Sequence, residues 1–256
     1  MSITLSVLAS GSKANAVLIS EGKFRILIDA GLGIRMMTAS LNEIGVRVSD
    51  LSAILITHEH TDHVRGLAKL LDRARTPLYA SAETLEAVDY IIPARVRTTA
   101  MDGDAVELGP FAVQGIPVPH DAAGPLAYHL QIGAHRITVA TDLGEVPSAL
   151  SKALAQSTTL VFESNHDEKM LRGGSYPEFL KDRILSEFGH LSNRQCAEAL
   201  SECQGNGLKT VVLAHLSDEN NRPELARASA HKVLKDSGAE LHVTSRTASG
   251  PFLELK

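Results

Sequence analysis

The sequence predicts an α/β protein: two mostly antiparallel or mixed sheets packed together, with helices on their outer faces. Three observations predict it. Ten short alternating or β-branched runs recur along the 256 residues, helix-period segments with recognisable ends lie between them, and after residue 140 the two types alternate evenly. No linker-like stretch, internal repeat or long charge block divides the chain, so residues 1–256 are read as a single domain.

The strands are read at 3–8, 16–20, 24–28, 53–57, 111–118, 127–132, 136–140, 159–163, 210–214 and 240–244. The first three are joined by hairpin-like turns. After Gly33, residues Ile34, Met37, Leu41 and Ile44 share one helical face, and Gly45 is placed to end that helix. Val64, Leu67, Leu70 and Leu71 repeat the helical spacing. Ser192-x-x-Gln195 reads as a capping box opening a helix through Cys203. Pro223 suits the first position of a helix over 223–237, with Leu225, Ala226, Ala230, Val233 and Leu234 inward and Gly238 closing it.

Composition narrows the function. Hydrophobic residues make up 44% and charged residues 21%, ordinary globular usage that excludes a disordered or collagen-like chain. The net charge of −5 supplies no global basic field for nucleic acid, though local Lys and Arg (Arg35, Arg65, Lys69, Arg172, Arg194, Arg222) remain available to grip a backbone. Cys196 and Cys203, seven residues apart on one helix, are too distant for a disulfide and read as core packing. No apolar run approaches the ~20 residues of a membrane span, and the N-terminus lacks a charged signal start. A soluble, cytoplasmic protein without a membrane partner is expected.

The sharpest signal is His58-Glu59-His60-Thr61-Asp62-His63, directly after the apolar run Ala53-Ile54-Leu55-Ile56-Thr57. Three imidazoles and a carboxylate in six residues would leave unsatisfied polar atoms if buried alone. H-x-H sends two imidazoles toward one ion, while Asp62 and His63 turn toward a neighbouring position. The spacing points to a dinuclear site, and imidazole with carboxylate suits Zn²⁺ or Mn²⁺, with Fe²⁺ as a further fit. Two such ions activate water near neutral pH and offset phosphodiester charge.

This motif resembles the signature of the metallo-β-lactamase superfamily, which implies a four-layer αβ/βα sandwich. The resemblance implies three downstream ligands, and each has a candidate at a strand end: His120, Asp142 and His215. It implies that His58, His60 and His120 hold one ion, that Asp62, His63 and His215 hold the other, and that Asp142 bridges them. Asp29, in Ile-Leu-Ile-Asp-Ala-Gly, matches the strand-end acidic residue that orients a ligand.

Glu163 ends another strand, and Gly189-His190-Leu191-Ser192-Asn193 opens a helix. Their order resembles tRNase Z, which implies that Glu163 and His190 form a proton-transfer pair beside the metals. A carboxylate next to an imidazole favours the protonated ring, which then donates to a departing oxygen. Leu8-Ala-Ser10-Gly-Ser12, Glu163-Ser-Asn-His166-Asp, the run 189–193 and Ala214-His-Leu-Ser with Glu219-Asn220-Asn are similar to the bacterial YycJ (WalJ) type, across nearly the whole chain. This resemblance implies a phosphodiesterase using a metal-bridging hydroxide: a 5′-to-3′ exonuclease on double-stranded DNA linked to repair, with DNA as a transient partner. Asp62, Glu163 and His190 are the expected catalytic groups. Ser10, Ser12, Asn15, His166, Ser192 and Asn220 are expected to support the ligands or touch substrate. The family's opening Ser-Gly-Ser-Ser-Gly-Asn stands here as Ser10-Gly11-Ser12-Lys13-Ala14-Asn15, one glycine fewer. The alternative is a small-molecule phosphodiesterase of the PhnP type acting on ribosyl cyclic phosphates, which the acidic charge and 4% aromatic content favour. The oligomeric state is left open.

Overall fold

The computed structural model describes residues 2–101, 103–203, 207–244 and 250–255. It contains two compact units, one of Met1–Gly115, Ala122–Leu126 and Thr247–Lys256, the other of Ile116–Asp121 and Ala127–Arg246. Along the chain run β1 (Ile3–Ala9), β2 (Ala16–Glu21), β3 (Phe24–Ile28), α1 (Ile34–Glu43), β4 (Ala53–Leu55), α2 (Thr61–Val64), α3 (Leu67–Arg73) and β5 (Leu78–Ala80). Next come α4 (Ala82–Val88), β6 (Thr98–Ala100), β7 (Val106–Leu108), β8 (Phe111–Pro117), β9 (Leu126–Ile132), β10 (His135–Ala140), α5 (Ser148–Gln156) and β11 (Thr159–Glu163). The remainder is α6 (Glu168–Gly173), α7 (Glu178–Leu185), α8 (Asn193–Glu202), β12 (Thr210–Ala214), α9 (Pro223–Leu234), β13 (Glu240–Val243) and β14 (Phe252–Leu255). The strands form two mixed sheets.

In the first unit the order is β14-β1-β2-β3-β4-β5-β6. β1, β2 and β3 pair antiparallel, and the two-residue turn between β2 and β3 uses Gly22 at φ +57°, the backbone such a hairpin requires. From β3 onward the pairing is parallel, because each return crosses over by a longer connection. Leu18, Leu27 and Ile54 from the sheet pack with Met37 and Leu41 of α1 and Leu67, Leu70 and Leu71 of α3 in one buried cluster. Burying each such side chain stabilises by roughly 1.5–3 kcal/mol. β7 and β8 pair as an antiparallel hairpin.

In the second unit β9 pairs antiparallel with β10, and β10, β11, β12 and β13 run parallel. The buried runs of β10, β11 and β12 match strands covered on both faces. Leu160, Phe162, Val211 and Leu213 pack with Cys196 and Leu200 of α8 and with Ala226, Ala230 and Leu234 of α9. Both cysteines are free and buried, and burial raises their thiols well above the ordinary range.

All ten expected strands form. Helix α8 opens on the reciprocal Ser192–Gln195 capping box, and α9 has Pro223 at its first position. Two expectations need correction. Helix α9 ends at Leu234, three residues early, in a turn before Gly238 at φ +73°. Leu225, expected inward, is 37% exposed, because the inward stripe of α9 is the i, i+4, i+8 row Ala226, Ala230, Leu234. Among the described residues no helix is long and apolar enough to cross a membrane.

Candidate active site

Parallel strands deliver their carboxyl ends to one edge, so neighbouring strands present their next residues together. In the first unit β3 and β4 do this. Asp29 follows β3 at φ +62°, and Thr57 and His58 follow β4, with Asp29 N–H held by the Leu55 carbonyl at 2.8 Å. Asp29 Oδ1 accepts the Thr57 backbone N–H at 2.8 Å, and Oδ2 lies 2.8 Å from Nδ1 of His63. A carboxylate takes the proton on Nδ1, which turns the His63 Nε2 lone pair outward. Thr57 Oγ1 also lies near Asp29, His58 Nδ1 and His63 Nδ1.

His58 Nε2 and His60 Nδ1 stand 3.0 Å apart, and His63 Nε2 is 3.4 Å from Asp62 Oδ2. Asn15 ties the preceding loop to this cluster. Its amide oxygen accepts the Gly11 N–H, and its Nδ2 lies 3.2 Å from Asp62 Oδ2 and 3.0 Å from His63 Nε2. Ser10 is half-buried and Ser12 exposed. Gly31 has no alternative here, because a Cβ would fall 1.6 Å from the Asp62 carbonyl oxygen.

The second unit repeats the principle with β10, β11 and β12. Asp142 follows β10 and His215 follows β12, both in the left-handed region at φ +60° and +55°, while Glu163 ends β11 opposite Ala214. Such strain in non-glycine residues costs of order 1–3 kcal/mol each and clusters at functional sites. Asp142 Oδ1 lies 3.4 Å from His215 Nε2, 3.8 Å from His190 Nδ1 and 4.0 Å from His120 Nε2. His120 donates Nδ1–H to the Gly189 carbonyl at 3.1 Å, leaving Nε2 as its ligand atom.

Glu163 is fully buried. Its Oε1 takes Nδ1 of both His190, at 2.9 Å, and His215, at 2.8 Å, and its Oε2 accepts the N–H groups of Leu143 and Leu191. Burial by itself raises this carboxyl, but the charge and hydrogen bond of His190, with the hydrogen bond of His215, outweigh it and hold it well below the usual carboxylate range. Burial keeps the His120 ring toward its neutral form, against the opposing pull of Asp142. One ligand atom each from Asp142, Glu163, His190 and His215 lies within 4.8 Å of all the others.

The donors fit divalent cations. His215 is held through Nδ1 by Glu163 and faces Asp142 Oδ1 with Nε2 at 3.4 Å, an imidazole and a carboxylate converging as divalent-metal donors do.

Of the remaining expected residues, Ser192, Asn220 and His166 are buried. Ser192 Oγ is engaged with Gln195 and Glu168. Asn220 accepts the Asp167 N–H through its carbonyl. His166 is fully buried, neither of its ring nitrogens has a hydrogen-bond partner among the described residues, and burial pushes the ring down to about 4. Arg194, exposed, is paired with Glu168 and Glu198. Sequence reasoning missed Thr57, Asn165, whose Nδ2 donates to the His215 carbonyl at 3.0 Å, and the second imidazole on Glu163. Thr57 was legible only as the residue before the motif.

Residues 24–216 match the family described as the beta-lactamase superfamily domain. The chain belongs to the metallo-β-lactamase superfamily. It is 37% identical over 241 residues to "Exodeoxyribonuclease YycJ" of Bacillus anthracis, covering 93% of this chain and 91% of that protein. It is 38% identical over 261 residues to "Exodeoxyribonuclease WalJ" of Streptococcus pneumoniae, covering 98% and 97%. Among solved structures it resembles YhfI from Bacillus subtilis, with a TM-score of 0.78 at 17% identity over 99% of this chain and 100% of that one. Human tRNase Z, short form, matches with a TM-score of 0.68 at 16% identity over 99% of each chain. The mixed α/β fold is that of the superfamily, and the chain is a metal-dependent hydrolase.

Proposed function

We propose that this protein is a dinuclear metal-dependent phosphodiesterase that degrades double-stranded DNA as a 5′-to-3′ exonuclease. The observation that carries this reading is the extent of similarity to proteins named exodeoxyribonucleases, 37–38% over nearly the whole chain. The local geometry of each donor cluster supports it. His58, His60 and His120 would hold one divalent ion, Asp62, His63 and His215 the other, and Asp142 would be shared, with Zn²⁺ or Mn²⁺ the best fit and Fe²⁺ next. Asp29 would set the His63 tautomer, as Glu163 does for His215.

When bound, such ions supply activated water and offset the charge of the phosphodiester. The protein's own part is proton management. Glu163 holds His190 through Nδ1, so the ring's Nε2 is the atom that carries a proton to the departing 3′-oxygen. His190 is 22% exposed at its side chain, so its outer edge is open while its inner edge is fixed. DNA would be a transient partner of a protein acting in the cytoplasm, in repair.

The test is a parallel assay of Mn²⁺-loaded protein on 5′-phosphorylated duplex DNA, single-stranded DNA, RNA and a ribosyl cyclic phosphate. Preferential loss of the duplex from its 5′ end supports the reading. Turnover of the cyclic phosphate alone replaces it with a small-molecule phosphodiesterase.

A further inference from the structure

Phe188 lies two residues before His190 and is 49% exposed. The chain that carries it is tied by several backbone hydrogen bonds. Ser186 N–H donates to the Arg183 carbonyl, Gly189 N–H to the Ser186 carbonyl at 3.0 Å, and His190 N–H to the Ile184 carbonyl at 3.0 Å. The Phe188 N–H itself donates to Ser186 Oγ.

The turn is also closed against its surroundings. A Cβ on Gly189 would fall 2.2 Å from the Ile184 carbonyl oxygen, and one on Gly144 would fall 2.3 Å from that of Glu187. The Gly189 carbonyl receives the His120 ring proton. The backbone on both sides of Phe188 is therefore fixed by His120, by the loop that follows Asp142, and by His190. An apolar ring on so fixed a backbone, two residues from His190 and half open to solvent, is a ready platform for a flat group, because the chain beneath it is already ordered.

We infer that Phe188 is a substrate-positioning residue that stacks on a nucleobase flanking the scissile phosphate. This rests on the nuclease reading above and deepens it: the substrate is recognised through a base as well as its phosphate. Base–aromatic stacking tolerates any base, which suits an exonuclease that meets a new base at each step.

The test combines two variants with two DNA ends. Duplexes carry a 5′-phosphate and either normal bases or abasic sugars at the two nucleotides flanking the first scissile phosphate. Phe188→Ala is expected to raise KM roughly tenfold on the base-bearing end and to leave the abasic end unchanged, with Phe188→Leu behaving like Phe188→Ala. The chain contains no tryptophan, so Phe188→Trp places a single indole at the site. Its fluorescence is expected to be quenched by the base-bearing duplex and not by the abasic one, at concentrations where anisotropy of labelled DNA reports both bound. Equal losses on both ends, no loss on either, or an unquenched indole on bound DNA would overturn the stacking role while leaving the nuclease reading intact. Failure of the wild type to bind or cut any DNA would remove both.

Discussion

Glu163 Oε1 lies 2.9 Å from Nδ1 of His190 and accepts its proton. The same oxygen is 2.8 Å from Nδ1 of His215, so one buried carboxylate orients two imidazoles. On the proposed reading, one Nε2 would serve a metal ion and the other the leaving group.

Glu163→Gln keeps the size of the side chain but presents one neutral oxygen to two ring N–H groups. Turnover on duplex DNA is expected to fall by about 10²–10⁴-fold. Glu163→Ala, which also strands the N–H groups of Leu143 and Leu191, is expected to destabilise the chain by about 3–5 kcal/mol. Single-turnover kinetics and urea unfolding of both variants check this. Full activity in Glu163→Gln would mean that the rings are oriented by other contacts.

His190→Ala is expected to slow DNA cleavage by about 10²–10⁴-fold but to spare an aryl phosphodiester, whose phenolate departs without a proton. Comparison of kcat on both substrates decides it. Equal losses would reject a proton-donating role.

The fold was legible in the sequence wherever an element is long or capped. β1 and β8 open on alternating residues and β9 alternates throughout its seven, and α8 announces itself by Ser192 and Gln195. The three-residue strands β5, β6 and β7 are too short to show a repeating alternation, and their register comes from tertiary pairing. The site residues stood out because polar groups follow apolar runs. What pairs them did not: that Glu163 serves two rings follows from the parallel register of β11 and β12, which places Glu163 opposite Ala214. The left-handed backbone at Asp29, Asp142 and His215 leaves no mark in residue type, since Asp and His are common elsewhere. Leu225 misled because hydrophobicity alone does not say which row of α9 faces the sheet.

His166 is expected to make the protein acid-labile. Its folded pKa of about 4 lies below the ordinary 6.5, so between those values the unfolded chain binds more protons. Stability contributed by the neutral buried ring is complete above about pH 6.5 and is lost as pH falls toward 4, by up to about 3 kcal/mol. His166→Leu should flatten the unfolding free energy across that window in urea titrations. An unchanged slope would place the ring in water.

Gly31→Ala drives a methyl group into the Asp62 carbonyl and toward the Asn15 N–H, so the loop carrying the histidine cluster must move. A loss of at least about 3 kcal/mol in stability and reduced metal content by elemental analysis are expected. Wild-type stability with full metal would show that the approach of these loops relaxes freely.

The central claim is that seven side chains, His58, His60, Asp62, His63, His120, Asp142 and His215, hold two catalytic divalent ions. Metal content and duplex-DNA turnover measured together on wild-type protein and Asp142→Ala test it most directly. The account predicts two equivalents per wild-type chain, and a folded Asp142→Ala with lowered metal content and no measurable turnover. Wild-type protein that cuts DNA without bound metal, or Asp142→Ala with unchanged content and turnover, would contradict it.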